Sequence, residues 1–227
     1  KMCESLTYPQ IILLTDRMDY LSAHINNEAV CLTVEKALGI EVSERVKYIR
    51  TILSELTRIQ SHQLFWATYG MDLGGLTCFF YGLRDRELVM DIFEETCGGR
   101  MIVSYNCPGG LMNDIHPNFQ KRTKEFIKYF RKTLPEYDRL LTGNVIFQER
   151  VKGLGTINRE DAIAWGLTGP VGRASGFSCD IRKHNPYSAY NKVIFKEILY
   201  NEGDSFHRYK VRMDEMWESM NIIEQLI

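Results

Sequence analysis

The sequence predicts a mainly α-helical protein with a small β lobe. Several long stretches repeat apolar residues at steps of three and four, the spacing that places them on one face of a helix. Glycines follow these stretches, as they commonly do at helix C-termini. Residues 145–200 differ, because glycine content rises there and the helical period is lost except near residues 159–165, so we expect short strands and turns.

The first two helices are predicted between residues 20 and 65. Lys1 to Leu14 reads as a lead-in segment in which Pro9 breaks structure. The helix from Tyr20 to Leu38 has apolar residues on more than one face, so we expect it to be largely buried. Ser43 is the expected N-cap of the next helix, which continues to about Phe65 and should pair antiparallel with the first.

Three further helices follow after a glycine-containing break at residues 70–75. The third helix is predicted from Leu83 to Glu95, and the Asn-Cys-Pro-Gly-Gly turn at residues 106–110 suggests a small β excursion. Asn118 opens a long helix with Pro135 as a candidate kink. The last helix opens at Asp204 or Ser205 and is still periodic at the final residue, which we interpret as a piece of a longer protein.

This pattern predicts one fragment of a longer protein, residues 1–227, with three parts. They are a helical bundle at 20–142, a small strand-and-turn lobe at 145–200 and a truncated C-terminal helix at 203–227.

Composition narrows the classes of partner. Of 227 residues, 44% are hydrophobic and 25% charged, and the formal net charge of −1 gives no indication of nucleic acid or an anionic membrane surface as a partner. The longest apolar-leaning run, residues 74–83, is far shorter than the ~20 residues of a membrane helix, so membrane association would be through other proteins. The six cysteines form no CxxC pair, which argues against a zinc ribbon or a self-contained iron–sulfur cluster.

The densest polar stretch is Thr-Asp-Arg-Met-Asp-Tyr-Leu-Ser-Ala-His at residues 15–24. Asp16 can cap a helix start and Asp19 can favour its first turn, so structural roles explain both carboxylates. They do not explain Arg17 or Tyr20. Taken alone, the stretch is equally consistent with a helix start and with a functional site.

Two other sets of polar residues are candidates. His24 and Glu28 stand four apart, the spacing of two metal ligands on one helix face, and His62 lies on the partner helix. A di-metal bundle needs more inward carboxylates than we can place, so we predict no metal site. Asp72, among apolar residues and glycines, is either a partly buried acid with a bonded partner or a solvated acid at a helix end.

Ten short motifs occur in order along the chain. They are Asp16-Arg17-Met18-Asp19-Tyr20, Ala29-x4-Val34-Glu35-Lys36, Tyr48-Ile49-Arg50, Glu55-Leu56-x-Arg58-x3-His62, Asp72-x-Gly74-x2-Thr77-x-Phe79-Phe80, Arg84-x-Arg86-Glu87, Pro108-Gly109-Gly110, Arg173-Ala174-Ser175-Gly176, Arg182-Lys183 and Arg212-x-Asp214-Glu215-Met216. Together they resemble the D subunit of NADH–quinone oxidoreductase, respiratory complex I, over essentially the whole chain.

The resemblance implies a hydrogenase-large-subunit-like helical bundle with a small β lobe, and it implies that residues 1–227 are a single fragment of the D subunit's catalytic domain. In the related nickel–iron hydrogenases an R-x-C-G-x-C segment supplies two metal thiolates. The corresponding run here is residues 17–22, where Asp19 and Ser22 stand in place of the cysteines. A nickel site cannot be built from this segment, so the sequence favours the quinone enzyme.

The resemblance also implies the residues of a quinone site. Tyr20 resembles the family's quinone-binding tyrosine and is the expected catalytic proton donor, because a phenol stays protonated at neutral pH. Asp72 resembles the catalytic acid that pairs with a second quinone-binding residue, a histidine upstream of Lys1. Arg17 and Arg100 are expected near a partner's iron–sulfur cluster.

The family resemblance further implies a proton-pumping NADH:quinone oxidoreductase, a translocase. We expect a quinone as substrate, an iron–sulfur cluster in a partner subunit and no cofactor bound by this fragment, which should be inactive alone. The expected partners include the iron–sulfur B subunit and the C subunit. The expected location is peripheral, on the cytoplasmic side of the cell inner membrane.

One residue departs from the family pattern. Ile102 stands where many relatives have a histidine close to the terminal cluster, and isoleucine cannot bind a proton. We therefore expect no pH-linked cluster potential through this position, and a low-potential quinone such as menaquinone.

Two alternatives remain from other classes. The first is a membrane-bound hydrogenase or formate-hydrogenlyase-type relative, which would need the missing cysteine pairs. The second is a scaffold that keeps the fold and binds partner subunits without a quinone.

Overall fold

A computed structural model describes all residues 1–227 and confirms the mainly α-helical fold with a small β element. Ten α-helices and one antiparallel hairpin make up the regular structure. The helices are α1 Tyr8–Thr15, α2 Ala23–Leu38, α3 Glu44–Asp72, α4 Leu76–Cys97, α5 Phe119–Tyr137, α6 Val145–Val151, α7 Arg159–Ala164, α8 Gly169–Ala174, α9 Ile181–His184 and α10 Ser205–Leu226. The strands are β1 Asn106–Cys107 and β2 Gly110–Leu111. None of the helices has the length and apolar character needed to cross a bilayer.

The core is built around α3, the longest helix. Its apolar side chains Leu53, Leu56 and Ile59 are fully buried, and α4, α5 and α10 supply the other walls. Trp66 of α3 stacks on Tyr137 at the end of α5, with ring centroids 3.9 Å apart. An offset aromatic pair of this kind adds to the free energy gained by burying the rings.

Helices α3 and α4 approach closely at two glycines. A Cβ at Gly70 would lie 2.6 Å from Cβ of Cys78, and one at Gly82 would lie 2.7 Å from Cβ of Ala67. Both distances are too short for two carbon atoms, so these positions require glycine for the observed packing. The predicted break between the helices is confirmed but is shorter than expected, since only residues 73–75 separate them.

The N-terminal segment differs from the prediction. Pro9 does not break structure: it stands at the second position of α1, where its missing N–H costs nothing. Thr7 and Gln10 form a reciprocal capping box at the start of this helix. Residues 16–22 form a turn instead of a helix, so α2 begins at Ala23 and not at Tyr20.

Helix α2 buries a polar face, contrary to the expectation of a largely apolar buried helix. His24, Asn27, Glu28 and Glu35 are buried, whereas Ala29 is exposed. The reason is ionic and hydrogen-bonded pairing with α3: Arg50 donates to Glu35 at 2.7 Å. Arg50 also donates to the carbonyl oxygens of Cys107 and Gly110 and so fixes the β hairpin to both helices.

The predicted strands in residues 145–200 are wrong. This segment folds into the four short helices α6–α9, joined by turns. Gly153, Gly166 and Gly176 follow the first three of these helices with φ of +69°, +64° and +76°, and this left-handed conformation ends each helix early. The only sheet is the hairpin at residues 106–111, where the sequence predicted a β excursion. The division of the chain into bundle, lobe and C-terminal helix stays a prediction.

Other predicted boundaries are confirmed. Ser43 caps α3 by accepting a hydrogen bond from the backbone N–H of Val46, and Asp204 caps α10 through His207 N–H. Pro135 lies inside α5 without ending it, and a π-helical turn at Asp138–Thr142 leads to Gly143.

Candidate functional site

The turn at residues 16–22 presents its side chains at the surface. Tyr20 is 56% exposed and Met18 78% exposed, and Arg17 and Asp19 are exposed as well. The hydroxyl of Tyr20 has no hydrogen-bond partner within the chain, and neither has the guanidinium of Arg17. The turn therefore offers one phenol and one cation to whatever lies against it.

The backbone of this turn is fixed although its side chains are free. Asp19 accepts a hydrogen bond from Leu21 N–H at 3.1 Å, and Asn26 of α2 donates to the carbonyl oxygen of Asp19 at 3.1 Å. At the other end Thr15 donates to the side chain of Asn27 at 2.8 Å. Tyr20 thus stands on a segment tied to α2 on both sides.

Asp16 has a different role from the helix-start cap considered from sequence. It lies at the C-terminal end of α1 and is completely buried. Its Oδ2 accepts hydrogen bonds from the backbone N–H of Ser104 at 2.9 Å and from the hydroxyl of Ser104 at 2.6 Å. The sequence contained no local signal for this contact, because the two residues are 88 positions apart.

His24, the second residue of α2, is buried. Its ring lies edge-on to Phe93 at 4.7 Å, and its Nε2 is 3.8 Å from Sγ of Cys97. Burial lowers the pKa of His24 to about 3, so the imidazole is neutral at physiological pH.

Glu28, four residues further along α2, does not combine with His24. Its two oxygens accept hydrogen bonds from Ser54, at 2.6 Å, and from Ser188. Burial raises the pKa of Glu28. No group of three or more His, Cys, Asp or Glu side chains in the chain is arranged to hold a metal ion.

Asp72 is the last residue of α3, and its side chain is exposed. Within this chain it is therefore the solvated acid at a helix end, the second of the two interpretations from sequence. The contacts of Glu28 with Ser54 and of Glu35 with Arg50 set the antiparallel register of α2 on α3.

The two candidate arginines differ in their surroundings. Arg100 donates to Glu94 at 2.8 Å and to Asp91 at 3.0 Å, and it also pairs with Glu87, all on α4. Its charge is thus compensated within the chain. Arg17 makes no ion pair, so it is the freer of the two cations to meet an external negative group.

The most extensive buried polar network centres on Glu55 of α3, to which sequence reasoning gave no role. This carboxylate accepts hydrogen bonds from Tyr190 and Ser219, each at 2.6 Å, and from Arg182 at 3.0 Å. Burial opposes its ionisation, but the charges of Arg58 and Arg182 and the hydrogen bonds from Ser219 and Tyr190 together lower the pKa of Glu55 to about 2. The carboxylate is therefore charged at neutral pH.

A second buried cluster lies one to two turns further along α3. His62 contacts Glu215 of α10 at 2.8 Å, and Arg173 of α8 donates to the same carboxylate at 2.9 Å. Burial alone would raise the pKa of Glu215. The hydrogen bond from His62 and the charge of Arg173 act in the opposite direction, and this pKa lies well below its usual range. The Glu, Arg and His residues of both clusters belong to the ordered motifs, which were the only sequence signal for them, whereas Tyr190 and Ser219 lie outside the motifs.

Neither Tyr20 nor Asp72 lines any of the five main clefts of the chain. Tyr20 stands on an exposed turn and Asp72 at a helix end. A small-molecule site that included them would need walls from other polypeptide segments.

Comparison with known protein families identifies the family of this chain. The model of the family described as "Respiratory-chain NADH dehydrogenase, 49 Kd subunit" matches residues 72–227. The chain belongs to this family.

Curated relatives of the 49 kDa subunit family match the chain over its whole length. It is 63% identical over 227 residues to a C/D subunit of NADH-quinone oxidoreductase from Bacteroides fragilis, covering 43% of that protein. It is 47% identical to the D subunit of NADH-quinone oxidoreductase from Clostridium beijerinckii and from Geobacter metallireducens, covering 61% and 58% of those proteins. The chain thus spans about half the length of the curated relatives it matches, and the resemblance inferred from the ordered motifs is confirmed.

Proposed function

We propose that this chain forms part of the quinone site of an NADH:quinone oxidoreductase. In the assembled enzyme it would receive electrons from an iron–sulfur cluster of a partner subunit and pass them to a quinone, within a proton-pumping translocase. The observation that supports this most directly is Tyr20, an exposed phenol with an unused hydroxyl on a turn whose backbone is held in place. A donor fixed in position and free of internal partners suits a site that must bind and protonate a ligand oxygen.

Reduction of a quinone to a quinol adds two electrons and two protons. The phenol of Tyr20 donates a hydrogen bond to one carbonyl oxygen of the ring and then its proton, which solvent or a neighbouring acid must replace. Phenylalanine at this position could only fill space.

Asp72 acts through the second quinone-binding residue implied by the family resemblance, a histidine outside residues 1–227, by orienting that side chain and supplying its proton. In this arrangement the two ring oxygens receive their protons from opposite sides of the site.

The partners proposed for the chain are the iron–sulfur B subunit, which would hold the cluster, and the C subunit. The C/D name of the Bacteroides fragilis relative supports an association with the C subunit. Met18, Tyr20 and the 38%-exposed Ile102 leave apolar surface that a partner or the quinone would cover. Arg17, with no internal ion pair, is the better candidate of the two arginines for a position beside the cluster. We place the assembly at the cytoplasmic face of the inner membrane, attached through partners.

The test is Tyr20→Phe in the assembled enzyme. Because the hydroxyl has no partner within the chain, the fold should be retained, whereas quinone reduction should fall by ~10²-fold or more, the usual contribution of a general acid. NADH oxidation with an artificial electron acceptor reports assembly and should be unchanged. Tyr8→Phe on α1 is a matched control, since Tyr8 is also about half exposed, at 55%.

Unchanged quinone turnover in Tyr20→Phe would remove Tyr20 from the mechanism and favour the scaffold alternative. A photoreactive quinone analogue that labels the assembled enzyme without labelling residues near Tyr20 would favour it as well.

A further inference from the structure

The Asp16 carboxylate joins two segments that belong together if the chain forms a quinone site. Asp16 immediately precedes the exposed turn that includes Tyr20. Its only hydrogen-bond donors are the N–H and the hydroxyl of Ser104, at 2.9 and 2.6 Å. Ser104 is the last of residues 98–104, the part of the loop between α4 and β1 that also contains Arg100 and Ile102.

The loop is held in an unusual conformation at the contact. Ser104 has φ of +41°, in the left-handed region that a residue with a side chain seldom occupies and that costs on the order of 1 kcal/mol or more. The neighbours of this residue, Val103 and Tyr105, are buried and anchor the loop in the core. In this conformation both polar hydrogens of Ser104 point to one oxygen of Asp16.

The carboxylate depends on these two donors. Asp16 is completely buried, and its other oxygen, Oδ1, has no hydrogen-bond partner in the chain. Burying a carboxylate is unfavourable unless hydrogen bonds compensate for the lost water, so the loss of either donor should displace Asp16 or open the contact to solvent.

Displacement of Asp16 would be transmitted to Tyr20. Only residues 17–19 separate them, and the turn is tied to α2 at both ends, through Thr15 beside Asp16 and through Asn26, which donates to the carbonyl oxygen of Asp19. The strand that follows the loop is tied to α2 as well, since Asn106 of β1 donates to the carbonyl oxygen of His24 at 3.2 Å. The hydrogen bonds between Asp16 and Ser104 link the turn directly to the loop.

We propose that Asp16 is a positioning residue for Tyr20, acting through its paired hydrogen bonds to Ser104. The pair sets the distance between the Tyr20 phenol and the loop at residues 98–104. This inference rests on the proposed quinone role of Tyr20, and its test separates the two.

The experiment combines Asp16→Asn and Ser104→Ala with Tyr20→Phe in the assembled enzyme. Asp16→Asn and Ser104→Ala should each lower kcat/KM for quinone by roughly tenfold, as expected when a hydrogen bond to a charged group is weakened, with NADH oxidation by an artificial acceptor retained. In the Tyr20→Phe background either substitution should cause little further loss of kcat/KM. The effects of substitutions that act through one group are not additive.

Thr123→Val is the matched control. Thr123 is buried on α5 and donates to the carbonyl oxygen of Phe119 at 2.8 Å, so the variant loses a buried hydrogen bond away from the turn. Its effect on quinone turnover should be small and independent of Tyr20→Phe.

Amide hydrogen exchange of the same variants tests the link itself. Asp16→Asn and Ser104→Ala should each accelerate exchange in both segments, residues 17–22 and 98–104. Acceleration confined to the mutated segment, or additive losses of quinone turnover with Tyr20→Phe, would overturn the inference. If Tyr20→Phe alone leaves turnover unchanged, the proposed function fails, and the positioning role fails with it even where exchange shows the two segments linked.

Discussion

Glu55 of α3 and Arg182 of α9 form a completely buried ion pair across 127 positions of sequence, with Nη1 of Arg182 3.0 Å from the carboxylate. Arg58 and the hydroxyls of Tyr190 and Ser219 complete the shell of this carboxylate. The pair joins the central helix α3 to the segment of short helices, so its loss should weaken the packing of these two regions.

Glu55→Gln should therefore be strongly destabilising. The substitution leaves Arg58 and Arg182 close together without their shared counter-charge, and loss of one member of a buried ion pair typically costs ~3–5 kcal/mol. Chemical denaturation of the subunit measures this free energy of unfolding. Glu149→Gln, at an exposed position on α6, is the control and should change it by less than ~0.5 kcal/mol. A similar small change for Glu55→Gln would show that the network is not needed for stability.

His24 should make the fold sensitive to acid. Its pKa is about 3 in the folded chain against 6.5 for the free side chain, so the unfolded state binds more protons between these values. The stabilisation that comes from the neutral imidazole is fully present above pH 6.5. As the pH falls toward 3, the free energy of unfolding should decrease by up to ~1.4 kcal/mol per pH unit. Thermal unfolding of the His24→Met variant should show a smaller dependence on pH between 6.5 and 4.5. An identical pH dependence in both proteins would contradict a buried neutral imidazole.

Gly82→Ala should lower stability although alanine favours helices. The added Cβ would lie 2.7 Å from Cβ of Ala67 and 2.9 Å from the carbonyl oxygen of Gln63, so α4 must move away from α3. Overpacking of this kind costs ~1–3 kcal/mol, more than the ~1 kcal/mol that alanine gains over glycine within a helix. Gly110→Ala, where a Cβ has open space, is the control for denaturant unfolding. An increase in stability for Gly82→Ala would show that the two helices can separate without loss.

With Ile102 at this position, the midpoint potential of the partner's cluster should not be linked to protonation of residue 102. Its side chain is partly exposed and cannot titrate, so the midpoint potential of the cluster in the assembled enzyme should vary little with pH. Ile102→His should introduce a dependence near the pKa of imidazole. Redox titration at several pH values measures both proteins, and a slope near one proton per electron in the unsubstituted enzyme would contradict this prediction. A low-potential quinone such as menaquinone would fit a pH-independent cluster.

Most helices and the protein family were predictable from the sequence. Which side chains lie on the buried face of each helix was predicted poorly. The N-caps Ser43 and Asp204 and the hairpin at residues 106–111 were predictable because each depends on neighbouring residues. The turn at residues 16–22 was misread as the start of α2, since Asp16 and Asp19 both suit a helix N-terminus. Their actual partners, Ser104 and the turn backbone, emerge only in the folded chain.

The site itself was predicted in part. Tyr20 and Asp72 were chosen through the family resemblance, and their catalytic roles stay predictions. The structure adds that Tyr20 is exposed and unpartnered and that Asp72 is an exposed acid at the end of α3. The buried clusters around Glu55 and Glu215 were missed, because a charged residue within a helix is ordinarily solvated and only its distant partners show otherwise.

The sequence by itself determined the helical class, the family and the absence of cysteines at residues 19 and 22, because these depend on local periodicity and on residue identity. Only the tertiary structure decided which face of α2 is buried, which acids are charged in the core and what holds Tyr20 in place. Each of these depends on contacts between residues far apart in sequence, such as Asp16 with Ser104 and Glu55 with Arg182. Hydrogen bonds that compensate buried charge act only where the chain has brought both partners together.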